Sequence, residues 1–247
     1  MQPISYLQTD PRWKDIDYSA PGEKTTIGAS GCGPSCMAMI IATLKDPSVT
    51  PKETCAWALQ KGYKAPNQGT YYSYFIPQGA AYGIEVKRVN TVGLRGMAAD
   101  KAKPLHDLAW GAVNAGDFVI ACMGPGRWTR SGHYILWYGN DGDQVLINDP
   151  NSTTPFKTKA PLSILRAEVK YYWIITNTRK EHEGMGTVFK DVEDDRWSVK
   201  YIEAAKNLGL ISAGEDGMFY PAGSLTREQA AVIMVRLFEK VTGRKVV

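Results

Sequence analysis

The chain has 247 residues, 44% apolar and 22% charged, with 29 Lys and Arg against 25 Asp and Glu. That composition is expected of a soluble globular protein with one large domain or two smaller ones, and it excludes a disordered chain or a collagen-like repeat. No apolar run reaches the roughly 18 residues of a membrane span. Met1-Gln2-Pro3-Ile4-Ser5 has neither the basic nor the apolar region of a signal peptide, and Lys and Arg nowhere cluster as nucleic-acid binding requires. The charge is uneven: residues 1–177 carry 18 basic and 14 acidic side chains, whereas the remainder is balanced at 11 and 11.

Pro34–Leu44, opened by Gly33, reads as a buried helix. Thr50 and Glu53 stand at capping-box spacing with Pro51 at the first helical position, and Gly62 closes that helix after Lys61. Thr70 is the next predicted cap, Gly83 the next stop, and Ile84–Val89 alternates as a strand. A helix around Lys103–Ala115 leads into an apolar strand, Phe118–Cys122. Strands Tyr134–Tyr138 and Gln144–Asn148 flank a turn, and Lys170–Thr176 is the last strand. Helices followed by an antiparallel sheet predict an α+β domain over 1–177.

Residues 178–187 are polar, contain glycine and lack an apolar period, which predicts a linker with His182 solvated in it. In the module that follows, 188–247, a helix over Ser198–Leu208 stops at Gly209. Thr226 and Gln229 form a second capping box, before a helix with apolar positions 230, 233, 234, 237 and 238. Two helices make a small core, so this module is expected to lean on a partner, a ligand or the first domain.

Four cysteines (32, 36, 55, 122) and three histidines (106, 133, 182) bound the chemistry. They form no C-x-x-C pair and no His pair at helical spacing, so neither metal nor other cofactor is expected. Cys32 and Cys36, one turn apart on a helix, have poor disulfide geometry; Cys55 and Cys122 read as core residues. Cys32 stands in Gly31-Cys32-Gly33-Pro34 at a helix N-terminus, where unpaired N–H groups and the helix dipole favour a thiolate. Gly33 beside it allows close approach of a substrate backbone. Cys36, one turn inside, is expected to pack with Ile40.

Hairpin register supplies a base. A three-residue loop, Asn140-Asp141-Gly142, sets Trp137 opposite Val145, Ile135 opposite Ile147 and His133 opposite Asp149. Facing β-carbons lie within about 5.5 Å, so an imidazole meets a carboxylate, the base and orienter of a cysteine hydrolase. An incidental cross-strand ion pair is the alternative. A side-chain amide such as that of Gln8, with the Cys32 N–H, could hold an oxyanion; on the residues alone a surface polar group is the default reading of Gln8.

Tyr6-Leu7-Gln8-Thr9-Asp10-Pro11-Arg12-Trp13, Ile27–Ser35 around Gly31-Cys32-Gly33, Gly116-Asp117-Phe118-Val119, Ser131-Gly132-His133-Tyr134 and Ile147-Asn148-Asp149-Pro150 occur in that order. Over about residues 4–176 they resemble the C39-like family of papain-fold cysteine peptidases. The resemblance implies Cys32 as nucleophile, His133 as base, Asp149 as orienter and Gln8 as oxyanion donor. Some relatives are leader-cleaving domains fused to transporters; nothing here resembles a transporter, so a double-glycine leader is not implied. Phe189-Lys190-Asp191-Val192, Trp197, Leu208–Ile211, Gly217–Pro221 and Leu225-Thr226-Arg227-Glu228 resemble one S-layer homology repeat. That family docks on secondary cell-wall polymers, usually as three repeats, and the resemblance implies Arg227 in the binding site.

Together these features predict a cysteine-dependent amide-bond hydrolase at the bacterial cell wall, extracellular, acting on peptidoglycan as a lysin or endopeptidase. A surface peptidase acting on proteins is the second expectation, and an inactive papain-like binding module on a wall adhesin the third. The loop Met123–Gly132 is expected to border the cleft, with Gly132 and Trp128 as substrate contacts. Trp128, between Arg127 and Arg130, would stack on a sugar or meet an anionic wall fragment; a packed Trp in a solvent loop is the alternative. A single repeat suggests a homotrimer through the apolar face of the last helix.

Overall fold

The computed structural model describes residues 2–178, 189–193, 196–214 and 216–246. Most of the predicted linker, His182 included, lies outside the described residues. Chain contacts divide the protein into two compact units, Met1–Lys180 and Glu181–Val247. No helix among the described residues is long and apolar enough to cross a membrane.

The first unit opens with a short helix, α1 (Ile27–Ser30), followed after Gly31 by α2 (Cys32–Leu44). All 13 residues of α2 are buried, the mark of a helix apolar on every side and packed at the centre of a domain. The capping box forms as expected on α3 (Pro51–Gln60): Glu53 Oε2 accepts from the Thr50 N–H at 2.9 Å, and the Thr50 side chain caps the helix start. Thr70, in contrast, caps nothing. α4 (Phe75–Ala81) starts five residues later, and the Thr70 hydroxyl instead meets Tyr18 Oη at 2.8 Å in the interior. A buried hydroxyl partner outcompetes a local cap.

Then come β1 (Val86–Arg88), α5 (Ala99–Asn114), β2 (Phe118–Met123), β3 (His133–Asp141), β4 (Gln144–Asn148), α6 (Pro155–Thr158), β5 (Lys159–Pro161), α7 (Leu162–Glu168) and β6 (Val169–Ile175). The strands form one antiparallel sheet in the order β1-β6-β2-β3-β4-β5. All six residues of the central β2 are buried, because both sheet faces are covered. Ile120, Leu136 and Trp173 face α2 with Met37, Ile40 and Ile41; Val119, Ile135, Trp137 and Tyr172 face the other way, with Ala109 and Val113 of α5. A strand buried on both faces reads as a continuous apolar run and not as an alternation. α6, β5 and α7 are too short to leave a period in the sequence.

The second unit has its own small core of Phe189, Val192, Val199 and Ile202, with Ile211 and Phe219 against it. The Asp191 carboxylate accepts the N–H groups of Phe219 at 2.8 Å and Tyr220 at 2.7 Å, which closes the loop over this core. Among the described residues, its helices are α8 (Val199–Asn207) and α9 (Arg227–Thr242). The Thr226–Gln229 capping box forms with bonds of 2.9 and 3.1 Å. No residue of α9 is buried, and Met234, Leu237, Phe238 and Val241 are exposed.

Gly31 joins α1 to α2 by folding back on Ile27: a Cβ there would lie 2.7 Å from the Ile27 carbonyl oxygen and 2.9 Å from its Cγ2. Gly31→Ala is therefore expected to destabilise the first unit by about 1–3 kcal/mol, the usual cost of forcing an extra carbon into a packed site. Urea denaturation followed by Trp fluorescence checks this; an unaltered midpoint would contradict it.

Candidate active site

Cys32 opens α2, so its sulfur sits over the unpaired N–H groups of a buried helix. The Gly33 and Tyr134 N–H groups and the His133 side chain all act on it electrostatically. Burial alone would push this thiol up, but His133, by hydrogen bond and charge, and the two backbone donors bring it below its ordinary 9.0. The other thiols move the opposite way: burial pushes Cys36 and Cys55 well above 9.0, and Cys122 up to about 12. Cys36 packs in the core with Ile40, as expected. Among four buried thiols, only Cys32 is held toward the thiolate.

His133 Nε2 meets Asp149 Oδ1 at 2.6 Å, with both side chains buried. The same ring is also coupled to the Cys32 thiol. Burial would lower the imidazole, yet the bonds to Asp149 and Cys32 hold it at about 9. Asp149 is fixed in turn, because Oδ1 also accepts the Asn151 N–H at 2.8 Å.

The pair forms, but not by the predicted register. Asp141 pairs with Gln144, so the turn is the two residues Gly142 and Asp143, with Gly142 at φ +60°. A bulge at Tyr138 then shifts the ladder: Gly139 faces Leu146, while Trp137 faces Ile147 and Leu136 faces Asn148. The expected Trp137–Val145 and Ile135–Ile147 partners do not occur. Continued by one residue, the observed register sets Asp149 across from Ile135. The carboxylate therefore reaches His133 as a diagonal neighbour on the same face, a distance long side chains span. The three-residue loop failed because Gly142 serves equally as the left-handed residue of a two-residue turn.

Gln8 is 4% exposed. Its N–H donates to the Pro150 carbonyl at 2.6 Å and its Nε2 to the Gly28 carbonyl at 2.8 Å, which ties the N-terminal segment to the end of β4 and to α1. Trp13 locks the same turn by donating Nε1–H to the Leu7 carbonyl at 2.8 Å. An amide nitrogen has two hydrogens, so one remains beyond the bond to Gly28, and Gln8 lines a cavity together with Cys32 and His133.

The other predicted contacts separate. Gly132 lines the cleft. Gly33 is buried under Tyr134 and Thr70, where a Cβ would come within 3.2 Å of the Tyr134 ring, so it serves packing, and its N–H helps lower the Cys32 thiol. Trp128 is no exposed stacking platform: it is 4% exposed, packed in the core, and its Nε1–H donates to the Lys157 carbonyl at 2.8 Å. Arg127 is likewise occupied, stacked 3.9 Å from the centre of the Phe156 ring. The indole found partners because α6, absent from the sequence reading, supplies them. Arg227 is exposed as the first residue of α9. A cavity of about 920 Å³ in its unit is lined by Glu228, Gln229 and Arg236 but not by Arg227.

Two cavities meet at Cys32 and His133. One, about 750 Å³, adds Gln8, Ser30 and the edge of Trp128; the other, about 450 Å³, adds Tyr72, Cys122 and Lys170. Their shared wall is the loop at Asn67, Gln68 and Gly69, which sequence reasoning missed. A buried Lys64–Glu23 ion pair holds it: Lys64 Nζ donates to the Gln68 carbonyl at 2.7 Å, and the Asn67 N–H donates to Glu23 Oε2 at 2.5 Å. Asn67 itself has φ +55°, a conformation Asn tolerates. The combination of a thiol drawn toward its thiolate, an imidazole, a buried carboxylate and a side-chain amide can carry out nucleophilic acyl transfer.

Residues 10–181 match the family model of the Peptidase_C39 like family, and residues 188–231 match that of the S-layer homology domain. Among solved structures, the chain is similar to the peptidase domain of Streptococcus ComA, a bi-functional ABC transporter involved in a quorum sensing pathway. The identity is 18% and the TM-score 0.38, covering 60% of this chain and 92% of that one. It is also similar to a C39-like peptidase from Bacillus anthracis, at 13% identity and TM-score 0.42, covering 71% and 98%. A stretch of 109 residues is 24% identical to amylopullulanase of Thermoanaerobacterium thermosulfurigenes; the match spans 42% of this chain and 6% of that protein.

The His133–Cys32 coupling has a measurable consequence. With His133→Ala, burial remains while the imidazole's hydrogen bond and charge are lost, so the Cys32 thiol should climb and alkylation by iodoacetamide at neutral pH should slow by about tenfold or more. In the wild type, the imidazolium should persist until pH rises through about 9; Asp149→Ala should bring that alkaline limb down toward the ordinary 6.5. The pH profile of Cys32 alkylation, read by peptide mass spectrometry, checks both.

Proposed function

The chain belongs to the Peptidase_C39 like family, and we propose that it hydrolyses peptidoglycan amide bonds at the bacterial cell wall as a cysteine peptidase. The observation that carries the chemistry is the 2.6 Å His133–Asp149 contact beside the one thiol held toward ionisation. Cys32 thiolate attacks the scissile carbonyl, and Gln8 Nε2–H with the Cys32 N–H receives the developing oxyanion. His133 gives its proton to the leaving amine and then takes one from the water that cleaves the thioester, while Asp149 keeps the ring oriented. A complete set of groups supports an enzyme over an inactive binding module.

The S-layer homology domain marks association with the cell surface. It supports wall peptides as the substrate, since they are the amide polymer at highest local concentration there. Arg227, exposed at the cap of α9, is our candidate contact to the secondary wall polymer. The bare apolar side of α9, with Met234, Leu237, Phe238 and Val241 exposed, supports assembly of three chains, which would also raise avidity.

Digestion of purified peptidoglycan, with new amino termini identified by mass spectrometry, tests the reaction. Cys32→Ala should abolish release, whereas Cys36→Ala should retain most of it. Gln8→Ala should lower kcat by about a hundredfold or more, with a smaller change in KM, as loss of an oxyanion donor does. Cleavage of protein substrates with peptidoglycan untouched would replace this substrate by a surface protein. For targeting, full-length Arg227→Ala should sediment less with purified walls than the wild type, and light scattering of the full chain should give three times the monomer mass. A monomer would rule out the trimer.

A further inference from the structure

The sheet carries a second irregularity, at the start of β6. Cys122 of β2 pairs with Tyr171, but the next residue, Met123, pairs with Val169. Lys170 is therefore left without an opposite residue. Such a bulge takes a side chain off the regular alternation of a strand, and bulges beside active sites characteristically re-aim one. Here the re-aimed residue lines the smaller cavity, with Cys32, Tyr72, Cys122, Gly132 and His133. A Cβ built on Gly132 would lie 3.6 Å from Lys170 Nζ, so the ammonium lies over the residue preceding His133.

Two lysines line the cleft cavities: Lys24, in the larger one, is exposed to solvent, whereas Lys170, in the smaller one, is half-buried. Lys170 is half-buried, forms no ion pair or side-chain hydrogen bond among the described residues, and shares its cavity with no carboxylate. A cation held in a partly desolvated pocket, walled by the Tyr71 and Tyr72 rings, attracts an anion more strongly than it would in open solvent.

We propose that the Lys170 pocket is a specificity subsite for a carboxylate, so that the enzyme selects peptides bearing a free carboxyl group next to the scissile bond. The subsite lies on the side of Cys32 away from Gln8, since Gln8 lines only the larger cavity. It rests on the reading of Cys32 as nucleophile. Lys170 binds the substrate anion and takes no part in bond making.

Alkylation of the full-length protein by two reagents of similar size tests the subsite without a known substrate. In each case the thiolate displaces iodide and forms a thioether; iodoacetate brings a carboxylate to the cleft and iodoacetamide does not. The ratio of their rates at Cys32 should fall about three- to tenfold in Lys170→Met, fall further in Lys170→Glu, and be retained in Lys170→Arg. Circular dichroism verifies that each variant is folded. A ratio within about twofold of wild type in both Lys170→Met and Lys170→Glu, at an ionic strength low enough to leave the charge unscreened, would overturn the subsite. Cys32 modified by neither reagent would instead overturn its role as nucleophile, and the subsite with it. In a digested pool of random peptides, acidic residues should be enriched beside wild-type cuts and lose that enrichment with Lys170→Glu; cuts without acidic enrichment in the wild type would also overturn it.

Discussion

A buried thiol and imidazole that draw each other toward the charged form are what the cleft is built around. Thiol and imidazole are both buried, and burial disfavours the charged form of each. The pair persists because every stabilising contact is supplied from a different part of the fold: the start of α2 and the Gly33 N–H, the Tyr134 N–H of β3, and the Asp149 carboxylate beyond β4. Loosening any one element would return Cys32 toward an inert core thiol, the state Cys36, Cys55 and Cys122 already occupy.

That dependence explains where the fold is rigid. α2 is buried all round and packs on one sheet face, while α5 packs on the other. The strands bearing His133 and the approach to Asp149 are adjacent in this sheet and cannot move separately. The loops forming the cleft walls are held by specific anchors. Glu23 and Lys64 clamp the loop at Asn67, Trp128 is pinned to Lys157, and Gln8 bridges Pro150 and Gly28. Bulges at Tyr138 and Lys170 interrupt an otherwise regular sheet, and each lies beside the site: the first sets the register by which Asp149 finds His133, and the second presents a cation to the cleft. The energetics of the second unit are of another kind. Among the described residues its apolar cluster is Phe189, Val192, Val199 and Ile202, a carboxylate closes one loop over it, and α9 buries none of its residues. A helix with a bare apolar side has stability to gain from association.

Much of this was legible in the residues. Cys32 at a helix start, the capping boxes at Thr50 and Thr226 and the apolar β2 strand all follow from local rules, because caps, periods and helix ends involve residues close in sequence; the His133–Asp149 pair was reached from the sequence through a register that the sheet does not adopt. The ordered motifs at Gln8, Cys32, His133 and Asp149 carried the family, and the motif at Arg227 carried the wall-directed module. What depended on neighbours distant in sequence was not legible. Thr70 reads as a cap until Tyr18 is beside it. Trp128 reads as exposed until Lys157 accepts its N–H. The hairpin turn was ambiguous because Gly142 satisfies two turn types, and only packing of the sheet selects between them. Lys170 reads as one more surface lysine in a strand. Its place at the cleft exists only because β2 and β6 disagree by one residue in their count, and a mismatch between strands 50 residues apart has no signature in either strand alone.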